Sequence, residues 1–281
     1  MANYTEIFKS SKGNIYVECY YSPMAKESAI LVNGAMSTTA SFSATVRNLK
    51  DKMNLILFDL PFIGNSAPHN PGLKLITKKD EVAILEELIE HYQPDNLISV
   101  SWGGLASLMT LSHRPSSIKR AVITAFSTRL NKAMYSYVIR AKALMENHQF
   151  EASSELLNQE IGKYLPRALK RVNYRHLCQL SEETYAQVIF HIEQIMKLDH
   201  QDYVSMFDKI DIPLLFINGE KDEYTTLEDI KVMGDYLKNC RFCGIPQAGH
   251  FLDLESKESS EAVGRELLTF FNQSAPVRQI A

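Results

Sequence analysis

The chain passes from a short apolar run, Asn96–Val100, to a helix-patterned segment opening Leu105-Ala106-Ser107-Leu108 through only four residues, Ser101-Trp102-Gly103-Gly104. So abrupt a turn forces its first residue into strained backbone. It also packs strand against helix closely enough that small residues are needed on either side. A serine at that point presents its hydroxyl at the top of a sheet. The pattern is the nucleophile elbow, G-x-S-x-G, with Ser99 in place of the first glycine and Gly103 at the last. Serine is small enough to serve there. A serine between small residues is also what an ordinary tight turn contains, so the hexapeptide Ser99–Gly104 alone leaves both readings open.

Two later segments favour the chemical reading. The apolar run Ile212–Ile217 leads into Asn218-Gly219-Glu220-Lys221-Asp222, which sets an acid in the loop after a buried strand. A second strand-like run, Arg241–Ile245, leads into Pro246-Gln247-Ala248-Gly249-His250. A serine hydroxyl is a weak nucleophile until an imidazole takes its proton, and a carboxylate must hold that imidazole in the right tautomer. Singly, Asp222 reads as a helix cap and His250 as a turn residue. In the order Ser101, Asp222, His250, each after a strand, they match the α/β-hydrolase fold and predict a catalytic triad.

The same fold predicts an oxyanion hole. The strand-like Ser28–Val32 ends in Asn33-Gly34-Ala35-Met36, and the backbone N–H groups of Ala35 and Trp102 are the expected donors. Two such donors aimed into a dry site contribute about 3–4 kcal/mol each toward the transition state. Asn33 stands where a histidine is usual, but the donor is backbone. Asp59-Leu60-Pro61-Phe62-Ile63-Gly64-Asn65-Ser66, after Leu55–Phe58, is similar to the D-x-P-G-x-G-x-S loop of such hydrolases, with Phe62 for a glycine.

Strand and helix patterns alternate from Ala29 to Phe126 and resume at Ile212, after two short strands near Glu6–Lys9 and Asn14–Tyr21. This implies a mostly parallel central sheet with helices on both faces. The expected organisation is a core formed by residues 1–128 and 209–281, with a helical cap, 129–208, inserted in it. The tail Ser274–Ala281 carries no periodic signal. At 281 residues and 45% apolar content the chain can bury one large core, and its net charge of −3 argues against a nucleic-acid partner. The longest apolar stretches fall short of the roughly 20 residues of a membrane span, and the N-terminus lacks the regions of a signal peptide. Four cysteines are no disulfide framework. Cys240 and Cys243 form a C-x-x-C without a second pair at zinc spacing. No metal, no cofactor and a cytoplasmic location are therefore expected.

Within the cap, Met134, Tyr137, Val138, Ala141, Leu144 and Met145 form one apolar stripe. Tyr185, Val188, Ile189, Ile192, Ile195 and Met196 form another, with Ser181 as N-cap. A lid built this way excludes water and shapes an apolar pocket suited to acyl chains; most of its apolar residues are equally expected to pack on one another. Lys163, Arg167, Lys170, Arg171 and Arg175 fall in a run without any acid. This is either a solvated helix face or a docking patch for an acidic partner, an acyl carrier protein or coenzyme A.

Several longer strings carry a resemblance. They are Leu31–Phe42 (L-V-N-G-A-M-S-T-T-A-S-F), Phe58–Phe62, His69-Asn70-Pro71, Ser101–Gly104, Gly162–Pro166, Asp222–Thr225 and Gly249–Asp253. Over nearly the whole chain these resemble the RhlA family, which joins two β-hydroxyacyl units through an ester to give a surfactant lipid precursor. They also resemble the similar PhaG group of β-hydroxyacyl-carrier transacylases and thioesterases, and both groups share the serine at position 99. Phe58–Phe62 and Phe251–Lys257 look more like the synthase, Arg171–His176 more like the transacylase. The resemblance implies Ser101 as nucleophile, Asp222 as acid, His250 as base, and β-hydroxyacyl thioesters as substrates.

Three readings stay open: an acyltransferase forming the double hydroxyacyl ester through a serine acyl-enzyme, a transacylase, thioesterase or lipid-type ester hydrolase with the same residues, and a non-catalytic binding module of the same fold. The last has no need of His250.

Overall fold

The computed structural model describes residues 4–198 and 200–273; the tail expected to be loose lies outside them. Eight strands form one sheet: β1 (Tyr4–Ser10), β2 (Gly13–Tyr20), β3 (Ser28–Val32), β4 (Asn54–Asp59), β5 (Asn96–Val100), β6 (Arg120–Thr124), β7 (Leu214–Gly219) and β8 (Cys240–Ile245). Their order is β1-β2-β4-β3-β5-β6-β7-β8. The β1–β2 and β2–β4 pairs are antiparallel and the rest parallel. The fold is therefore an α/β-hydrolase fold with a mostly parallel sheet.

The strand expected from Ile212 starts two residues later, at Leu214. Pro213 has no N–H to give the ladder, although its carbonyl still accepts from Ala121 at 3.1 Å.

Helices α1 (Ser43–Leu49), α2 (Lys78–Tyr92) and α3 (Gly103–Ser112) follow β3, β4 and β5. Between β6 and β7 come α4 (Lys132–Glu146), α5 (Phe150–Gln159), α6 (Arg167–Cys178), α7 (Glu182–Lys197) and α8 (His200–Ser205). After β7 come α9 (Leu227–Lys231), α10 (Leu252–Glu255) and α11 (Lys257–Phe271). The central strands point apolar residues to both sides because both faces of the sheet are covered. Alternate residues point to opposite faces, so Ile30, Ile56 and Leu97 join Leu85 and Leu108 from α2 and α3. Leu31, Leu57 and Ile98 join Leu49 and Leu267 from α1 and α11.

The α4–α8 segment has its own apolar cluster. Tyr137, Val138, Ala141 and Met145 of α4 meet Tyr185 and Ile192 of α7, with Trp102 and Phe251 packed against them. Ser181 caps α7 by accepting the N–H of Thr184 at 3.2 Å, and Asn131 caps α4 by accepting that of Met134. Met196, at the end of the apolar stripe of α7, is exposed. No helix among the described residues is long and apolar enough to cross a membrane.

Candidate active site

Ser101 follows β5 directly and has φ +50°, in the left-handed region that costs a non-glycine residue strain. The strain persists because its surroundings fix it. The Ser101 N–H donates to the Thr124 carbonyl on β6 at 2.8 Å, and its carbonyl accepts from Gly104 at 2.8 Å. A Cβ on Gly103 would sit 2.5 Å from the Asn33 carbonyl oxygen, and one on Gly104 2.6 Å from the Phe126 ring. These contacts are the close strand–helix approach that makes small residues obligatory after the serine. Ser99, two residues before it, is fully buried, and among the described residues its hydroxyl has no hydrogen-bond partner.

His250 lies in the loop between β8 and α10. Its Nε2 is 2.9 Å from Ser101 Oγ and its Nδ1 is 2.8 Å from Asp222 Oδ2. The three residues thus form one hydrogen-bonded chain across 149 sequence positions. Asp222 is almost fully buried. Burial alone would raise its carboxyl, but the His250 charge and the hydrogen bonds from His250, Thr225 and the Tyr224 amide outweigh it and lower the pKa. Thr225 Oγ1 donates to Asp222 Oδ2 at 2.5 Å, while the N–H groups of Tyr224 and Thr225 hold Oδ1 at 2.9 and 3.1 Å. Glu255 accepts the N–H groups of Gly249 and Phe251 at 2.6 and 3.1 Å, bracketing His250 and setting its loop. Sequence reasoning missed both Thr225 and Glu255. The only signal was an acceptor-donor spacing within each loop.

Gly34, Ala35, Ser101 and Trp102 border the same space. Among the described residues the N–H groups of Ala35 and Trp102 have no acceptor, so both are free for a ligand. Asn33 ties the neighbouring strand ends, donating to the Phe58 carbonyl at 2.8 Å and accepting from Ser41 at 3.0 Å. His176 of α6 donates to the Met36 carbonyl at 2.8 Å, which links the inserted helices to this loop. Trp102 is held from its other side. The buried Lys78 ammonium lies 4.7 Å from the indole centroid and is paired with Glu81 at 2.5 Å. Glu81 also faces His191 Nδ1 of α7 at 3.1 Å, and burial lowers the His191 pKa to about 4.

Asp59 explains the Asp59–Ser66 loop. Its carboxylate accepts the N–H groups of Thr39 and Asn65 at 2.7 and 2.8 Å. Gly64, at φ +53°, is required because a Cβ there would stand 2.2 Å from Asp59 Oδ2.

Two apolar cavities meet at Ser101. One, of about 150 Å³, runs between the inserted helices and α1, lined by Tyr137, Ala141, Phe42 and Leu267 among others. The other, of about 290 Å³, runs toward Phe126, Ile195, Met196 and Tyr203. Ser101, Trp102, Met134, Val138 and Ile192 line both. The exposed Met196 thus lines a cavity wall.

The structure divides the basic run. Lys163 pairs with Glu223 at 2.7 Å, and Lys170 donates to the Lys163 carbonyl at 2.8 Å. Arg167, Arg171 and Arg175 are exposed at four-residue spacing on α6 beside Val172, which is 54% exposed. Cys240 and Cys243 are free thiols. Among the described residues no group of three His, Cys, Asp or Glu side chains could hold a metal ion.

Residues 30–256 match the alpha/beta hydrolase fold family. The chain belongs to this family. It is 43% identical to the (R)-3-hydroxydecanoyl-ACP:CoA transacylase of Pseudomonas putida, over 91% of this chain and 87% of that one. It is 41% identical to the protein of the same name from Pseudomonas aeruginosa, over 91% and 85%. Among solved structures, this α/β hydrolase is similar to MGS-M2, an α/β hydrolase enzyme from a Medee basin deep-sea metagenome library. The TM-score is 0.79 at 20% identity, covering 98% of this chain and all of that one. The enol-lactonase of Burkholderia xenovorans aligns with TM-score 0.78 at 16% identity, covering 95% and 100%. At these identities the structural likenesses speak to the fold alone.

Proposed function

We propose that this α/β hydrolase is a serine acyltransferase that moves a β-hydroxyacyl group from one carrier thiol to another. The observation that carries the reading is the Ser101–His250–Asp222 hydrogen-bonded chain at the junction of two apolar cavities. The transacylases at 41–43% identity support the substrate class. In the first half-reaction His250 Nε2 takes the Ser101 proton as Oγ attacks the thioester carbonyl. The oxyanion is held by the N–H groups of Ala35 and Trp102. The C–S bond breaks, and His250 returns the proton to the departing thiolate, leaving an acyl ester on Ser101. In the second, His250 deprotonates an incoming thiol, whose sulfur attacks the ester carbonyl; the C–Oγ bond breaks and His250 returns the proton to Ser101. The acyl chain occupies the smaller cavity and the carrier arm the larger. The exposed Arg167–Arg171–Arg175 face suits an acidic carrier protein.

A second reading rests on the apolar lining of the larger cavity, which suits an alkyl chain as well as a carrier arm. If a second β-hydroxyacyl chain lies there, its hydroxyl attacks the acyl-enzyme and the product is the double hydroxyacyl ester. Water is present at roughly tens of molar, but a well-positioned acceptor reaches effective molarities of about 10⁵ M or more and outcompetes it.

Intact-mass analysis of enzyme quenched after mixing with 3-hydroxydecanoyl thioester tests the first step. A β-hydroxyacyl adduct is expected on the wild type and not on Ser101→Ala. Product analysis with added coenzyme A then separates the readings. A new coenzyme A thioester supports transacylation, the double ester supports the second reading, and free acid alone refutes both in favour of hydrolysis.

A further inference from the structure

The smaller cavity carries a carboxyl group that the acyl-transfer steps do not use. Asp253, at the start of α10, stands three residues after His250 and lines this cavity together with Ser101. Its Oδ2 accepts from Thr45 Oγ1 of α1 at 2.9 Å, a contact spanning 208 residues. Among the described residues it is the only carboxylate in a wall made otherwise of apolar and hydroxyl side chains, Trp102 and His250. Burial, opposed by the Thr45 hydrogen bond, pushes its pKa up to about 6.

A cavity meant only for an alkyl chain is lined more favourably by hydrocarbon. A carboxyl group kept there is costly unless a donor meets it. Thr45 satisfies one oxygen. A ligand that enters the cavity with a hydroxyl near its reacting carbon supplies a donor for the group. In an acyl chain bound to Ser101, a β-hydroxyl is separated from Oγ by three carbons, within about 5 Å by ordinary bond lengths. It therefore falls in the part of the cavity nearest the nucleophile.

We infer that Asp253, held by Thr45, accepts a hydrogen bond from the β-hydroxyl of the substrate and so selects β-hydroxyacyl over plain acyl chains. The inference rests on the acyl-transfer reading above and names the group that sets its specificity. A hydrogen bond to a charged acceptor in a site shielded from water discriminates against an analogue that lacks the donor, because the carboxylate then keeps only its protein donors and loses the ligand's.

The test is the ratio of kcat/KM for 3-hydroxydecanoyl against decanoyl thioester, measured alongside acyl-adduct formation on Ser101. Wild type is expected to favour the hydroxylated chain. Asp253→Leu should lower the ratio about 10- to 100-fold, and Asp253→Asn and Thr45→Val, which keep an acceptor oxygen at 253, should lower it by less. The Asn and Val variants keep the test decisive if the leucine variant fails to fold. A wild-type ratio near one, or an equal ratio in wild type and every folded variant, overturns the assignment of Asp253 while leaving acyl transfer intact. Absence of any Ser101 adduct from either thioester overturns the acyl-transfer reading itself.

Discussion

Asp222→Asn has a consequence that the hydrogen-bond geometry defines closely. Asp222 Oδ1 is held by two backbone N–H groups, while Oδ2 accepts from Thr225 Oγ1 and from His250 Nδ1 at 2.8 Å. The two amides will keep the asparagine carbonyl where Oδ1 now lies, so its NH₂ group points at His250. Two donors cannot share that contact. The imidazole must leave Nδ1 bare and carry its proton on Nε2, which faces Ser101 Oγ at 2.9 Å. In that tautomer it cannot take the hydroxyl proton. The imidazolium formed during attack also loses its charge partner. Two unit charges about 4 Å apart at an effective dielectric near 20 interact by about 4 kcal/mol, which is a factor of about 10³ in rate. With the tautomer effect added, kcat should fall by about 10³–10⁴. The assay is single-turnover acylation of Ser101 by a saturating β-hydroxyacyl thioester, with thermal melting followed in parallel. A loss under tenfold in a variant that melts like wild type would refute the proposed role of Asp222.

Three further outcomes are expected. Ser99→Ala removes a fully buried hydroxyl that has no partner among the described residues, so stability in urea should be unchanged or higher; a loss above about 1 kcal/mol would show that the hydroxyl is bonded after all. Burial raises the Asp59 pKa to about 6 from 3.8, so the folded state keeps this proton where the unfolded chain releases it. Stability from this group therefore falls as pH rises from about 4 to about 6, and the pH slope over that window should be less negative in Asp59→Asn than in wild type. Reversing the charge of Arg167, Arg171 and Arg175 together should raise KM for a carrier-protein thioester, most at low salt, and leave a small uncharged ester nearly untouched; equal KM values for the carrier substrate across a salt series would remove the docking role.

The fold and the chain Ser101–His250–Asp222 were legible because their signals are local. A buried parallel strand is a continuous apolar run, the turn after it needs small residues, and the loops at strand ends hold the residues that face a ligand. Where a signal is local but a neighbour competes, boundaries moved: Pro213 delayed β7 by two residues. The basic run looked uniform in sequence because no acid lies within it. Folding brings Glu223, 60 positions away, onto Lys163, and only the residues spaced along the outer face of α6 keep their charge toward solvent.

By itself the sequence determined which residue types stand at the strand ends, because covalent order and backbone sterics act over a few residues. Tertiary structure alone decided which groups share a volume. The Thr45–Asp253 pair, the Lys78–Glu81–His191 cluster beneath Trp102, and the division of the apolar interior into two cavities at Ser101 all join α1, α2 or the central strands to segments more than 90 residues distant. No local pattern records those contacts. Their physical origin is close packing, which forces side chains from remote segments into one space and leaves a buried polar group stable only where another segment supplies its partner.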